Sequence, residues 1–244
     1  MAFFPSDAPE TDILYDSSIS SFLSDRRAGI WGFADLSPIP EERRYGFPRS
    51  ISFGFPISKK ILAQIKAGPT IEYFREYDRL NGLLAKAAKE TVEYINSIGY
   101  SALAIDEETR RYDTAALATI LPHKTSAVLA GLGWIGKCDL LITRGFGSGI
   151  RLGTVLTDLP LRTGTPTTES QCGSCGICRE RCPGGAVAGR NWKSGMNREE
   201  LYDAFACQAT ARRLSAAIGA EHSICGICIA NCPITIGYMT APET

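Results

Sequence analysis

Two cysteine runs constrain this chain more than any other feature. "CGSCGICRERCP" carries Cys172, Cys175, Cys178 and Cys182, followed by Pro183, while "CGICIANCP" carries Cys225, Cys228 and Cys232, followed by Pro233. The second run repeats the first with its opening cysteine missing. A secreted disulfide scaffold would be shorter and would spread its cysteines along the chain. Here eight of nine follow residue 170, which points to metal binding in a reducing compartment. The N-terminal "MAFFPSDAPETD" lacks the basic and long apolar regions of a secretory signal. No stretch reaches the roughly 18 apolar residues of a membrane span. The expected location is cytoplasmic, with no membrane partner. Lys+Arg and Asp+Glu both number 26, so composition offers no basic face for nucleic acid.

The 2-2-3 spacing closed by Cys-Pro is that of bacterial ferredoxins, in which the fourth cysteine of each run ligates the other of two [4Fe–4S] clusters. Structural zinc sites usually pair two C-x-x-C elements instead. Crossing the ligands gives the first cluster Cys172, Cys175, Cys178 and Cys232. The second takes Cys182, Cys225 and Cys228, with one position open. Cys138, Cys207 and His222 compete for it. Cys207 lies in "NREELYDAFACQATARR", which reads as an amphipathic helix between the runs, and it is favoured as the nearest thiol in the chain. An imidazole is an uncommon ligand for a low-potential cubane. Cys138 reads as a core thiol or the wall of a cofactor pocket.

Upstream the chain alternates strand-like and helix-like segments, an α/β pattern. "GIWGFADL" (29–36) and "SISFGFP" (50–56) read as strands separated by a loop. A short helix in "ISKKILAQIKAG" ends at Gly68. A longer one follows Pro69, with Tyr73, Tyr77, Leu80, Leu84, Ala88, Val92 and Ile95 on one stripe and Gly99 as its cap. "YSALAI" reads as a strand, 124–130 as a short helix, and 139–143 and 150–157 as strands. "RTGTPTTESQ" marks a boundary near residue 165, between an α/β domain (1–165) and a ferredoxin-like domain (166–244).

"HKTSAVLAGLGWIGKCDLLI" holds Gly131, Gly133 and Gly136 in a G-x-G-x-x-G arrangement. A dinucleotide loop follows a strand and opens a helix. Here a helix precedes and a strand follows, which argues against that reading. The simpler one is a turn whose glycines let the backbone pack closely on something flat or bulky.

"AGLGWIGKCDLLIT", then "GSGIRLGTVLTDLPL", then two cysteine runs with a lone cysteine between them, together resemble the epoxyqueuosine reductase family. The resemblance is specific from about 120 to 235 and extends more thinly back to about 45. It implies an α/β domain similar to nitroreductase-like and cobalamin-processing folds, followed by a two-cluster ferredoxin domain. It also implies electron flow through the cubanes to a corrinoid, a plan that reductive dehalogenases share. By resemblance a cobalamin would lie against Gly131, Gly133, Trp134, Gly136 and Lys137 and against Ser148, Gly153 and Thr157, with Lys124 and Lys137 at its polar periphery. The family's lone cysteine matches Cys207.

Three departures stand beside the match. The family's acidic proton donor has no counterpart in "ALATILPHKTS", where His123 becomes the candidate donor, since imidazole titrates near neutrality. Cys138-Asp139 replaces the family's Asn-Thr. The C-terminal helical-repeat extension that helps hold tRNA is not in this sequence. The expectation is an iron–sulfur, corrinoid-dependent reductase of an unnamed non-tRNA substrate, served by a low-potential ferredoxin- or flavodoxin-type donor. The alternatives are an electron-transfer protein that reduces a corrinoid on a partner protein, and a flavin in place of the corrinoid.

Overall fold

The computed structural model describes residues 10–242, so the first nine residues of the N-terminal stretch read above lie outside it. Helix α1 (Glu10–Asp25) opens the chain where the sequence reading placed no element. Its Ile19 and Leu23 are fully buried, and its Phe22 stacks on Tyr94 with ring centroids 5.8 Å apart. Strands β1 (Ile30–Asp35) and β2 (Arg49–Pro56) follow, joined by the expected loop. Helix α2 (Lys59–Gln64) is short, and α3 (Ile71–Ser97) is the longest element.

α3 forms for reasons visible in its sequence. The Thr70 hydroxyl accepts from the Tyr73 N–H at 3.2 Å and caps its start, and Gly99 takes up a left-handed φ of +88° just past its end. Tyr73, Leu80, Leu84, Ala88 and Ile95 are buried as the stripe requires, with Tyr77 and Val92 at its margin. Glu76 is buried with them, and its carboxylate accepts from the Ser58 N–H, tying α3 to the start of α2.

The remaining elements are β3 (Ala102–Ala104), α4 (His123–Leu129), β4 (Trp134–Ile135), β5 (Leu141–Ile142) and β6 (Ile150–Thr157). They are followed by α5 (Ile177–Glu180), α6 (Ala204–Ala216), α7 (Ile227–Ala230) and α8 (Pro233–Thr240). The main sheet has the order β1-β2-β6-β3 and is antiparallel at every pairing. Ile51, Phe53, Phe55 and Val155 pack under α3 on one face. On the other, Ser50 shares a 2.7 Å hydrogen bond with Ser126 of α4, and Leu156 packs with Ala34 and Ala130. The result is a three-layer α/β/α arrangement.

Residues from both sides of position 165 share the main core, since Ile224, Ala230, Tyr238 and Met239 pack with α3. The Tyr238 hydroxyl also donates to the Ile57 carbonyl at 3.2 Å, and the Asn231 amide to the Lys66 carbonyl at 2.8 Å. Among the described residues, no helix is long and apolar enough to cross a membrane.

One detail of the sheet positions the site. β3 pairs only with Val155, Leu156 and Thr157 of β6. The first half of β6 therefore has β2 on one side and no strand on the other. A cavity opens at that bare edge, between α3 and α4.

Candidate metal centres and the adjoining cavity

The two cysteine runs fold alike. Gly176 and Gly226 precede the one-turn helices α5 and α7, which carry Cys178 and Cys228 and lie against each other. Each turn closes similarly, with the Cys182 N–H bonded to the Arg179 carbonyl and the Cys232 N–H to the Ile229 carbonyl, both at 3.3 Å. Gly226 is left-handed at φ +83°, and a β-carbon there would meet Ile65 Cδ1 at 2.5 Å. All nine cysteines are free.

Cys172, Cys178, Cys182, Cys228 and Cys232 surround a small core of Trp134, Cys138, Ile142 and Val187. Cys207, on α6, faces Cys225 and Cys182 and takes a hydrogen bond from the Tyr202 hydroxyl; burial pushes its thiol pKa up. Cys182 thus lies near Cys207 of the intervening helix while packing on the same small core as Cys172 and Cys178 of its own run. α6 is held in place by Asp203, whose carboxylate accepts from the N–H groups of Phe205 (2.9 Å) and Ala206 (3.0 Å). His222 points elsewhere. Its Nε2 lies 3.0 Å from Asp78 Oδ1, and its ring sits 5.5 Å from both Phe74 and Tyr77. Cys138 is buried (7 % exposed), and its thiol hydrogen-bonds with both Cys178 and Cys228. The sequence singled out Cys138-Asp139 as a departure, but not this position between the two runs. Trp134 is also buried there, and its Nε1 has no hydrogen-bond partner. Among the described residues no three His, Cys, Asp or Glu side chains are gathered around a single-ion position.

The cavity has a volume of about 520 Å³, within the usual range for a small-molecule site. α3 lines it with Tyr73, Tyr77, Asn81 and Leu84, the start of α4 with His123 and Lys124, and β6 with Ile150 to Gly153. Three residues face both the cavity and the cysteines. Leu140 lines the cavity and packs in the cysteine-rich core. Ile229 follows Cys228. The Tyr73 phenol, its pKa raised by burial, senses Arg151 on one side and Cys228 and Cys225 on the other. Cavity and cysteines are one residue apart.

His123 Nδ1 lies 2.9 Å from Thr154 Oγ1. Burial, and then the Arg151 and Arg110 guanidiniums, bring its pKa down to about 4, so its resting form is the neutral imidazole. Lys124 forms an ion pair with Asp139 and donates to its carbonyl at 2.7 Å; burial lifts the Asp139 pKa against that pull. Ser148 is buried at 3 % exposure and its hydroxyl is unpartnered.

The residues expected against a cofactor therefore divide. His123, Lys124, Ser148 and Gly153 line the cavity; Gly131, Gly133, Trp134, Gly136, Lys137 and Thr157 do not. The glycine stretch packs on the chain itself. A β-carbon on Gly133 would overlap the Ile142 carbonyl oxygen, and one on Gly136 would approach Ile142 Cγ1 to 2.7 Å. Gly131, at φ +73°, abuts the Thr165 carbonyl. Trp134 turns toward the cysteines, Lys137 is buried, and the Thr157 hydroxyl donates to the Ser101 carbonyl at 2.9 Å. Arg151 of β6 meets Tyr77 and Asn81 of α3, a grouping the sequence reading did not select as a site.

No protein-family model matches the chain. Its fold is the mixed α/β fold of the reductive dehalogenases and epoxyqueuosine reductases. A reductive dehalogenase described as carrying out B12-dependent dehalogenation superposes with a TM-score of 0.68 at 16% identity, over 96% of this chain and 34% of that one. An epoxyqueuosine reductase solved with an epoxyqueuosine-modified tRNA-Tyr stem loop gives 0.64 at 14%, over 93% and 66%. By sequence, the chain is related to the epoxyqueuosine reductases. It is 34% identical over 114 residues to that of Aliivibrio fischeri, 46% of this chain and 27% of the relative. For that of Salmonella typhimurium the identity is 30% over 145 residues, 57% and 34%. The match thus spans about a third or less of these relatives' length.

Proposed function

We propose that the chain is an iron–sulfur oxidoreductase that passes electrons from two [4Fe–4S] clusters to a corrinoid held in the adjoining cavity, for reduction of a substrate other than tRNA. The observation that carries this reading is the one-residue wall of Tyr73, Leu140 and Ile229 between the cavity and the cysteines. In this scheme Cys172, Cys175, Cys178 and Cys232 hold one cluster. Cys182, Cys207, Cys225 and Cys228 hold the other, supported by the electrostatic interaction of Cys207 with Cys182 and Cys225. A corrinoid would be held by the cavity lining, where the buried, unpartnered Ser148 hydroxyl would suit a corrinoid amide. When bound, it supplies a low-potential cobalt centre. The chain's own part is to keep water from the wall, seat the substrate and hold a neutral imidazole at His123.

A low-potential ferredoxin or flavodoxin is the electron donor this reading calls for. The segment 116–126 contains no carboxylate, which favours a second reading: a protein that reduces a corrinoid on a partner without substrate chemistry of its own.

Anaerobic reconstitution followed by cobalamin addition tests the proposal. Iron and sulfide near eight per chain, with a cobalamin spectrum shifted to the base-off form, are expected. Reconstituted protein that binds no cobalamin would reduce the chain to a carrier. A colourless protein with stoichiometric zinc would overturn the whole reading, and a releasable flavin would replace the corrinoid.

A further inference from the structure

Arg151 is a guanidinium without a counter-ion, set in the cavity wall. Its Nη2 donates to Asn81 Oδ1 at 2.8 Å, and its Cζ stacks 4.0 Å from the centroid of Tyr77. Its Nε is buried and has no hydrogen-bond partner. Among the described residues no carboxylate pairs with it, and the charged groups around the cavity are otherwise engaged. Lys124 is paired with Asp139, and Glu107 with Arg110 at 2.9 Å. Asp106 accepts from the N–H groups of Glu108 and Thr109 and from the Thr109 hydroxyl. Arg110 also keeps a buried Nε without a partner, and Ser148 its buried hydroxyl. An unpaired buried donor costs stability unless a ligand takes it up. Lys89 faces Glu93 at 3.9 Å, and most of the remaining lining is apolar or aromatic, including Leu84, Ile150 and Leu152.

We propose that the cavity seats a small organic anion, a carboxylate or phenolate with an apolar body, with its charge on Arg151 and its reactive part beside His123. A planar guanidinium fixed by Asn81 and Tyr77 is preorganised for such a group. An anion there would offset the Arg151 charge, the larger of the two guanidinium effects that add to burial in disfavouring the imidazolium. With Lys124 neutralised by Asp139, and Tyr73 and Tyr77 the facing groups on α3, the proton affinity of His123 then rises against the burial that still holds it down. This specifies the substrate of the proposed reductase, yet it is testable without the corrinoid.

The test uses cluster-loaded protein free of corrinoid, titrated calorimetrically with benzoate and with its neutral counterpart, benzamide. Benzoate is expected to bind roughly tenfold tighter or better, the usual value of a charge-assisted pair. Arg151→Gln should abolish the difference while iron content stays unchanged, and Arg151→Lys should restore part of it. In wild-type protein His123, one of two histidines and so readily assigned by NMR, should titrate at higher pH with benzoate present. Equal affinity for benzoate and benzamide, or benzoate binding indifferent to Arg151→Gln, would overturn the proposal. So would displacement of benzoate by cobalamin, since Arg151 would then serve the cofactor. Failure of cobalamin to bind at all would count against the reductase reading alone, and the anion site would stand on the first two results.

Discussion

Replacing Cys207 with alanine separates the competing assignments of the eighth ligand. Alanine is the best helix former, so α6 and its Asp203 cap survive the change, and the loss is confined to one half-buried sulfur. That sulfur faces Cys182 and Cys225 and takes the Tyr202 hydrogen bond. Two four-iron cubes hold about eight irons per chain, so Cys207→Ala should bring iron to about four if the second cube is lost. Iron near seven with a new EPR signal from the oxidised protein would mean conversion to a three-iron centre, the same conclusion by a milder route. The matched control is His222→Ala. Its imidazole is half-exposed, paired with Asp78 and flanked by the rings of Phe74 and Tyr77. An exposed pair of this kind contributes about 1 kcal/mol or less, so the variant should melt close to wild type and keep all its iron. Iron and acid-labile sulfide assays with EPR decide the matter. A full complement in Cys207→Ala, or a halved one in His222→Ala, would refute the assignment.

Three further outcomes are expected. Gly133→Ala drives a β-carbon into the Ile142 carbonyl, where backbone must give way, so it should cost about 2–3 kcal/mol and lower the melting temperature by roughly 5–10 °C. Loss of cofactor with an unchanged melting temperature would instead make the glycine stretch a cofactor cradle. Cys138→Ala should leave iron content intact but shift the cluster reduction potentials in an EPR-monitored titration, because its thiol contacts Cys178 and Cys228; unaltered potentials would make it a packing residue only. His123 binds its proton in the unfolded chain near pH 6.5 but in the folded one only near 4, so stability should fall as pH drops through that window. The stability advantage of wild type over His123→Gln in urea unfolding should therefore shrink from about pH 7 to about pH 5, and a constant difference would contradict a neutral buried imidazole.

What the sequence reveals here is what local spacing encodes. The α3 stripe, the strands β1, β2 and β6, and the cysteine runs each carry their pattern within a few residues. α1 has apolar residues at Tyr15, Ile19, Phe22 and Leu23, but they stand among serines and aspartates that mask the period. The antiparallel order of the sheet is non-local, set by β2 pairing with β6 across nearly a hundred residues of intervening chain. The glycines of 131–136 read equally well as a cradle or a tight turn, and only their partners, Ile142 and Thr165, decide between them. Arg151 is one charged residue in a strand until the early end of β3 bares its edge and α3 brings Tyr77 and Asn81 to it.

That bare edge also gives the cavity a direction. On one side lie Tyr73, Leu140 and Ile229, all uncharged, with the cysteines immediately behind them. Of the cationic lining residues Lys89, Lys124 and Arg110 have carboxylate partners and Arg151 has none, and both arginines act on His123. A partition without fixed charges leaves the field of those guanidiniums uncompensated on the side of the cysteines. Negative charge arriving through the cysteine wall would meet a positive pole, and the imidazole at that pole would gain proton affinity as the charge arrived. On the proposed reading, electron entry and proton uptake are thus coupled by electrostatics, with no moving part required. Arg151→Gln should weaken both together: it lowers the cavity's affinity for an anion and raises the resting proton affinity of His123, so the rise that benzoate produces becomes smaller. A His123 titration that responds to benzoate equally in Arg151→Gln and wild-type protein would break that coupling.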